Sequence, residues 1–327
     1  MLADARMTAA RLSVADYETG VRARDRVVLA RAITLVESDR DDDRAMADAL
    51  LEKLMPHTGG ATRVGVTGVP GVGKSTLLDA LGVHLVDRGE RVAVLAVDPS
   101  STISGGSILG DKTRMPKLST KDEAFIRPSP SATTLGGVAR RTRETMLVCE
   151  AAGFDVVIVE TVGVGQSETA VASMVDTFVL LALPGSGDEL QGIKKGIVEL
   201  ADVIAVNKAD GANEERAKSA MRELKAAVGP KTPMLMTSGL SGAGIPELWT
   251  ATLRHRAELQ TAGLEARRRE QRRAWFGSIV DEELARALRT DPALRSLWTA
   301  LEADVVLGKR SPSDAARALI VAFRGEK

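Results

Sequence analysis

Gly68-Val69-Pro70-Gly71-Val72-Gly73-Lys74-Ser75 has the order Gly, four residues, Gly-Lys-Ser. Glycines let successive backbone N–H groups turn inward around phosphate oxygens. Lys74 sets a cation against the β and γ groups, and a helix starting here aims its positive end at them. Ser75 offers a hydroxyl to Mg2+. Gly68, Val69, Pro70, Gly71, Val72, Gly73, Lys74, Ser75 and the adjoining Thr76 are therefore the candidate phosphate site, with Lys74 also a candidate catalytic residue.

Asn207-Lys208-Ala209-Asp210 supplies the chemistry of a base site. The Asp210 carboxylate can accept both the N1–H and the 2-amino hydrogens of guanine. Adenine offers neither donor there and would leave a buried carboxylate unpaired, a larger cost than one missing contact. Lys208 can lay its aliphatic stem over the base, and Asn207 can brace the loop. Ser238, Gly239 and Leu240 can offer backbone N–H groups to the guanine O6. The expected ligand pair is GTP and GDP with Mg2+.

Two acids end apolar runs, Asp98 after Val92 to Val97 and Glu160 after Phe154 to Val159. Either can hold Mg2+ directly or through water, and Glu160 can instead orient the attacking water. Asp98 and Glu160 join Lys74 as candidate catalytic residues. Gly163 can donate its N–H to the γ-phosphate. Val164 follows it where many regulatory GTPases carry a polar water-positioning side chain, so slow unassisted hydrolysis is expected, with Gln166 close by in sequence.

These residues need a scaffold that brings strand ends together. Arg63 to Thr67, Val92 to Val97, Phe154 to Glu160, Thr177 to Ala182, Val203 to Val206 and Met234 to Thr237 read as short apolar strands separated by helical stretches. That alternation predicts an α/β P-loop NTPase fold, a mostly parallel sheet with helices on both faces and ligands at the carboxyl ends of its strands. Residues 12 to 55 carry helically spaced apolar positions, including Val27, Val28, Ala32, Leu35 and Val36. After Pro246 the pattern is helical to the end, with Arg267 to Arg273 expected as a solvated helix face and Ser313 as the cap of the last helix. The organisation expected is a helical N-terminal extension over 1–58, a GTPase domain over 59–260 and a helical C-terminal extension over 261–327.

Composition narrows the function classes. The 327 residues are 44% hydrophobic, and 44 basic residues cancel 44 acidic ones. With one Tyr, five Phe and three Trp there is little surface for stacking bases, which argues against nucleic-acid binding. No apolar stretch approaches the ~20 residues of a membrane helix. The one cysteine, Cys149, sits beside Met146, Leu147 and Val148 and reads as a buried structural thiol, compatible with the reducing cytoplasm. His57, His84 and His255 are scattered, so direct metal delivery is weakly supported.

With these motifs in view, the chain resembles the metallocentre-assembly class of P-loop GTPases, specifically the MeaB/ArgK/MMAA family, chaperones of adenosylcobalamin-dependent methylmalonyl-CoA mutase. The resemblance spans nearly the whole chain. It is carried by Arg31 to Ser38, Gly65 to Thr76, Val97-Asp-Pro-Ser-Ser101, Gly110-Asp-Lys-Thr-Arg-Met115, Glu160 to Glu168, Pro184 to Gly196 and Asn207 to Asp210. It implies a homodimer built through helical extensions, with GTP binding and hydrolysis gating cobalamin delivery to the acyl-CoA mutase and protecting it. It also implies Asp98, Asp111 and Glu160, with Ser75, around Mg2+ and the catalytic water. Ser101 to Met115 resembles a first switch, and Asp188 to Lys195 an additional switch loop facing the mutase. The rival readings are a transport-associated ATPase or kinase acting on amino-acid binding proteins, against which Asp210 argues, and a regulatory scaffold that binds GTP without turnover.

Overall fold

The computed structural model describes residues 11–97, 114–128, 135–161, 167–185 and 195–325. Its centre is a seven-stranded sheet made of β1 (Thr62–Gly68), β2 (Val92–Val97), β3 (Ala124–Pro128), β4 (Val156–Thr161), β5 (Thr177–Ala182), β6 (Val203–Val206) and β7 (Met234–Met236). The spatial order is β3-β2-β4-β1-β5-β6-β7, and every pairing is parallel. Parallel strands need crossover helices, which cover both faces, so the central strands are buried throughout and consist largely of Val, Ile and Leu.

Alternation along each strand divides the core between the two faces. Val156 and Ile158 of β4 pack with Leu77, Leu81 and Leu85 of α4 (Lys74–Asp87) and with Leu248 and Trp249 of α9 (Ile245–Ala262). Val157 and Val159 meet the opposite layer. That layer is built from α5 (Leu135–Ala151) and the helices α1 (Val14–Arg22), α2 (Arg26–Val36) and α3 (Asp41–Leu54). The N-terminal helices thus share the core of the sheet. Beyond β5, the short helix α7 (Lys195–Leu200) and α8 (Glu214–Val228) cover β6. Cys149 is fully buried in α5, and burial pushes its thiol far above the ordinary cysteine range. The short helix α6 (Ser167–Ala172) completes this part of the chain.

The chain divides into two compact units after Arg268. The helix α10 (Leu264–Thr290) begins in the first unit, and Arg268 there is buried among carboxylates. Its guanidinium donates to Asp176 at 2.9 and 2.7 Å and to the carbonyl of Ala61 at 2.9 Å. Asp176 also accepts from the Arg63 N–H, while the Arg63 side chain forms a bidentate pair with Glu150 at 2.7 and 2.8 Å. This network lies where β1 and β5 begin, away from their carboxyl ends.

The second unit, taken by itself, contains α11 (Pro292–Val306) and α12 (Pro312–Phe323), which meet through Leu294, Leu301, Ala315 and Leu319. Phe276, Val306, Leu307 and Val321 are exposed on it.

Four expectations change. Strand β3 went unread because Ala-Phe-Ile-Arg-Pro is short and carries Arg and Pro, both tolerated at a sheet edge. Val27 is 68% exposed, and Leu29 and Ile33 take the core-facing positions of α2. Arg268 breaks the solvated Arg267 to Arg273 face. The last helix is capped by Ser311, whose hydroxyl accepts from the Asp314 N–H at 3.2 Å. Ser313 falls inside the helix because Pro312 occupies its first turn.

Candidate functional site

The phosphate loop joins the central strand to α4. Gly71 and Gly73 have φ of +79° and +91°, a region open to glycine and strained for other residues. Gly73 is the N-cap of α4 without a side-chain cap, so the first turn keeps backbone N–H groups for a ligand. Val72 is fully buried between them and pins the loop to the core. The Lys74 ammonium donates to the carbonyl of Gly68 at 2.7 Å and of Val69 at 3.3 Å. Burial pushes its pKa below the ordinary lysine range, opposed by the charges of Glu160 and Glu168. Pro70 and Thr76 are exposed at the rim.

Glu160 stands on the adjacent strand in register with Val66, two residues before Gly68. A buried hydrogen bond of 2.7 Å from Thr161 to Thr67 ties these two strand ends together. The result is that Ser75 donates to the Glu160 carboxylate at 3.1 Å. A hydroxyl and a carboxylate this close, beside a phosphate-binding helix N-terminus, are hard oxygen donors of the kind Mg2+ takes in small number from protein. Asp98, Asp111 and Gly163 lie outside the described residues, as do Gln166 and nearly all of both switch segments.

Asn207 joins the base loop to the phosphate loop. Its Nδ2 donates to the carbonyls of Val72 at 2.8 Å and Gly73 at 3.5 Å. Its Oδ1 accepts from the Thr237 hydroxyl at 3.3 Å and the Gly239 N–H at 3.2 Å. A side chain on Gly73 would lie 2.9 Å from Asn207 Nδ2 and 3.5 Å from Lys208 Cε, so the Lys208 stem crosses directly over the loop. Lys208 itself has φ +59°, and Asp210 follows half-buried at the start of a short 3-10 turn.

The loop after β7 packs equally close. A Cβ on Gly239 would fall 2.6 Å from the Leu77 nitrogen. The Ser238 N–H donates to the Ala243 carbonyl and the Gly239 N–H to Asn207, so two of the three expected O6 donors are engaged within the protein. Of the three, the Leu240 N–H has no such partner among the described residues. A further residue, unmarked in the sequence, is Asp79, buried on α4, whose Oδ1 accepts from the N–H groups of Lys117 at 3.1 Å and Leu118 at 2.7 Å. It thereby holds the start of the 3-10 turn Leu118–Thr120 against the phosphate-binding helix. A lone Asp inside a helical stretch carries no signal that would have found it.

A glycine loop on the central strand, a neighbouring acid beside the loop's hydroxyl and an Asn-Lys-x-Asp loop two strands away define a P-loop nucleotide hydrolase. The family model described as "Methylmalonyl Co-A mutase-associated GTPase MeaB" matches residues 29–293. The chain belongs to this family, and it is a GTPase. A Mycobacterium tuberculosis protein named "Probable GTPase Rv1496" is 54% identical over 311 residues, covering 92% of this chain and 93% of that one. The mouse "Methylmalonic aciduria type A homolog, mitochondrial" is 42% identical over 330 residues, covering 94% and 78% respectively. A solved structure titled "Crystal structure of LAO/AO transport system kinase" superposes with a TM-score of 0.74 at 37% identity, covering 99% of this chain and all of that one.

Proposed function

We propose that the protein is a metallochaperone that uses GTP binding and hydrolysis to gate cobalamin loading of an adenosylcobalamin-dependent acyl-CoA mutase, methylmalonyl-CoA mutase first among them, and to protect it. The match to a family described as associated with that mutase carries the partner. The Ser75–Glu160 contact carries the chemistry.

In this reading the backbone of Gly68 to Thr76 holds the triphosphate, and Lys74 leaves the Gly68 carbonyl for the β and γ oxygens. A bound Mg2+ would supply charge neutralisation there. Ser75 and Glu160 would hold it, with Asp98 and Asp111 assigned beside them and Gly163 assigned to the γ-phosphate. Glu160 either serves the metal or orients the attacking water, and Glu160→Gln separates these roles: lost Mg2+ affinity marks the first, slowed turnover at saturating Mg2+ the second. Asp210 reads the base, with Lys208 stacked on it and Leu240 at its O6 edge.

The segment 261–327 is the proposed homodimerisation arm, supported by the exposed apolar side chains of Phe276, Val306 and Val321. The protein is proposed to work in the cytoplasm; among the described residues no helix is long and apolar enough to cross a membrane.

The deciding measurement is steady-state hydrolysis of GTP and ATP, with and without such a mutase. GTP turnover accelerated by the mutase, with ATP inert, is expected. Equal use of ATP would overturn the role of Asp210, and indifference to the mutase would overturn the partner.

A further inference from the structure

Strand β3 ends the sheet, and a cleft of about 500 Å³ opens between it and α2. Three arginines line it, Arg26, Arg31 and Arg127, with no carboxylate among the described lining residues; at its rim Arg26 donates to the Asp122 carbonyl at 3.0 Å and lies 3.9 Å from the exposed Asp122 carboxylate. The Arg127 guanidinium pairs with the buried Glu37 and reaches the Thr34 hydroxyl at 3.3 Å. Its Nε–H is buried and has no hydrogen-bond partner among the described residues. On the helical wall, Val27 is exposed beside Ala30.

The strand wall offers backbone groups as well. Val92 pairs with Ala124 in parallel register and donates to the Glu123 carbonyl. This pairing turns the backbone of 123, 125 and 127 toward β2 and that of Ala124, Ile126 and Pro128 outward. Arg26 occupies the Ala124 carbonyl at 3.0 Å, Lys121 accepts from the Ala124 N–H, and Pro128 has no N–H. Ile126 is left presenting both a donor and an acceptor at the sheet edge.

We propose that this cleft docks an extended acidic segment of a partner protein, which adds beside β3. The segment exchanges backbone hydrogen bonds with Ile126, rests an apolar side chain on Val27 and presents carboxylates to the positive field of the arginine-lined wall, Arg26 above all. A small anion alone would leave both Ile126 and Val27 unused, which is why a peptide is the better fit. The cleft is separated from the phosphate loop by β2 and β4, so nucleotide and segment can be held together.

The test uses the full-length protein and two synthetic capped peptides, Val-Asp-Val-Asp-Val-Glu and its counterpart with Lys at the acidic positions, read by calorimetry and by hydrogen exchange. The acidic peptide is expected to bind at least tenfold more tightly than the basic one and to slow exchange of the amides in 124–128. Val27→Asp, an exposed position outside the nucleotide site, should weaken that binding at least tenfold with GTP turnover and melting temperature unchanged. Equal binding of the two peptides, or binding without protection of 124–128, overturns the proposal. Inorganic tripolyphosphate displacing the acidic peptide from protein whose phosphate loop is already filled with GDP would make the cleft a small-anion site and overturns it too.

Discussion

Asn207 donates from Nδ2 to the Val72 carbonyl at 2.8 Å, so the loop proposed to read the base and the phosphate loop are one hydrogen-bonded unit. The same amide accepts from Gly239, which lies against the first turn of α4. Removing this buried bridge leaves carbonyl, hydroxyl and N–H partners unpaired, at about 1–3 kcal/mol for such a loss. Asn207→Ala is accordingly expected to weaken GTP and GDP alike by roughly 10- to 100-fold. Titration with a fluorescent guanine nucleotide checks this, and an unchanged affinity would mean the bridge is dispensable.

Asp210 is proposed to assign the base by accepting two hydrogens. Asp210→Asn exchanges half of that acceptor for a donor, which suits a purine carrying a 2-oxo group. GTP affinity should fall on the order of 100-fold and xanthosine triphosphate affinity should rise, since a mismatched buried donor or acceptor costs several kcal/mol. Competition between the two nucleotides for the variant reads the switch; an undiminished preference for GTP would remove Asp210 from the base site.

Burial lowers the pKa of Lys74 in the free protein from the ordinary 10.5, and bound phosphate raises it again by adding opposing charge. Between those two values the free protein has lost a proton that the complex retains. Affinity for GTP therefore falls as pH rises through the free-protein value, by up to about tenfold per unit. Guanine N1 also loses its proton under alkaline conditions, so the quantity to measure is the difference in pH profile between the wild type and Lys74→Met. Identical slopes would sink the assignment.

Arg268→Ala strands Asp176 in the interior. Breaking a buried ion pair from one side costs about 3–5 kcal/mol, and the loss should appear as a lower urea midpoint by tryptophan fluorescence. A change under 1 kcal/mol would show that water reaches Asp176 in the variant.

The sequence made the site legible where the chemistry is local. Gly68 to Ser75 and Asn207 to Asp210 are contiguous, and each suggests its proposed role through its residue types. Six of the seven strands were equally plain, four of them (β2, β4, β5 and β6) because a strand buried on both faces is largely a run of Val, Ile and Leu. What stayed hidden depends on residues far apart in the chain meeting in space. The buried role of Arg268 depends on Asp176, 92 positions away. Asp79 acquires its role from amide groups 38 and 39 residues on. The engagement of the Ser238 and Gly239 N–H groups likewise follows from a turn and from Asn207, where the sequence suggested free donors.

The strand order has a further consequence for how the chain is made. Strand β1 is flanked by β4 and β5, so Thr62 to Gly68 gain no neighbour until residues beyond 155 exist. At typical synthesis rates of about 5–20 residues per second, an apolar strand waits roughly 5–20 s for its first partner. During that interval the strand that carries the nucleotide loop has no neighbour in the sheet. The molecule proposed here as a chaperone therefore passes through a stage in which it is itself a candidate client.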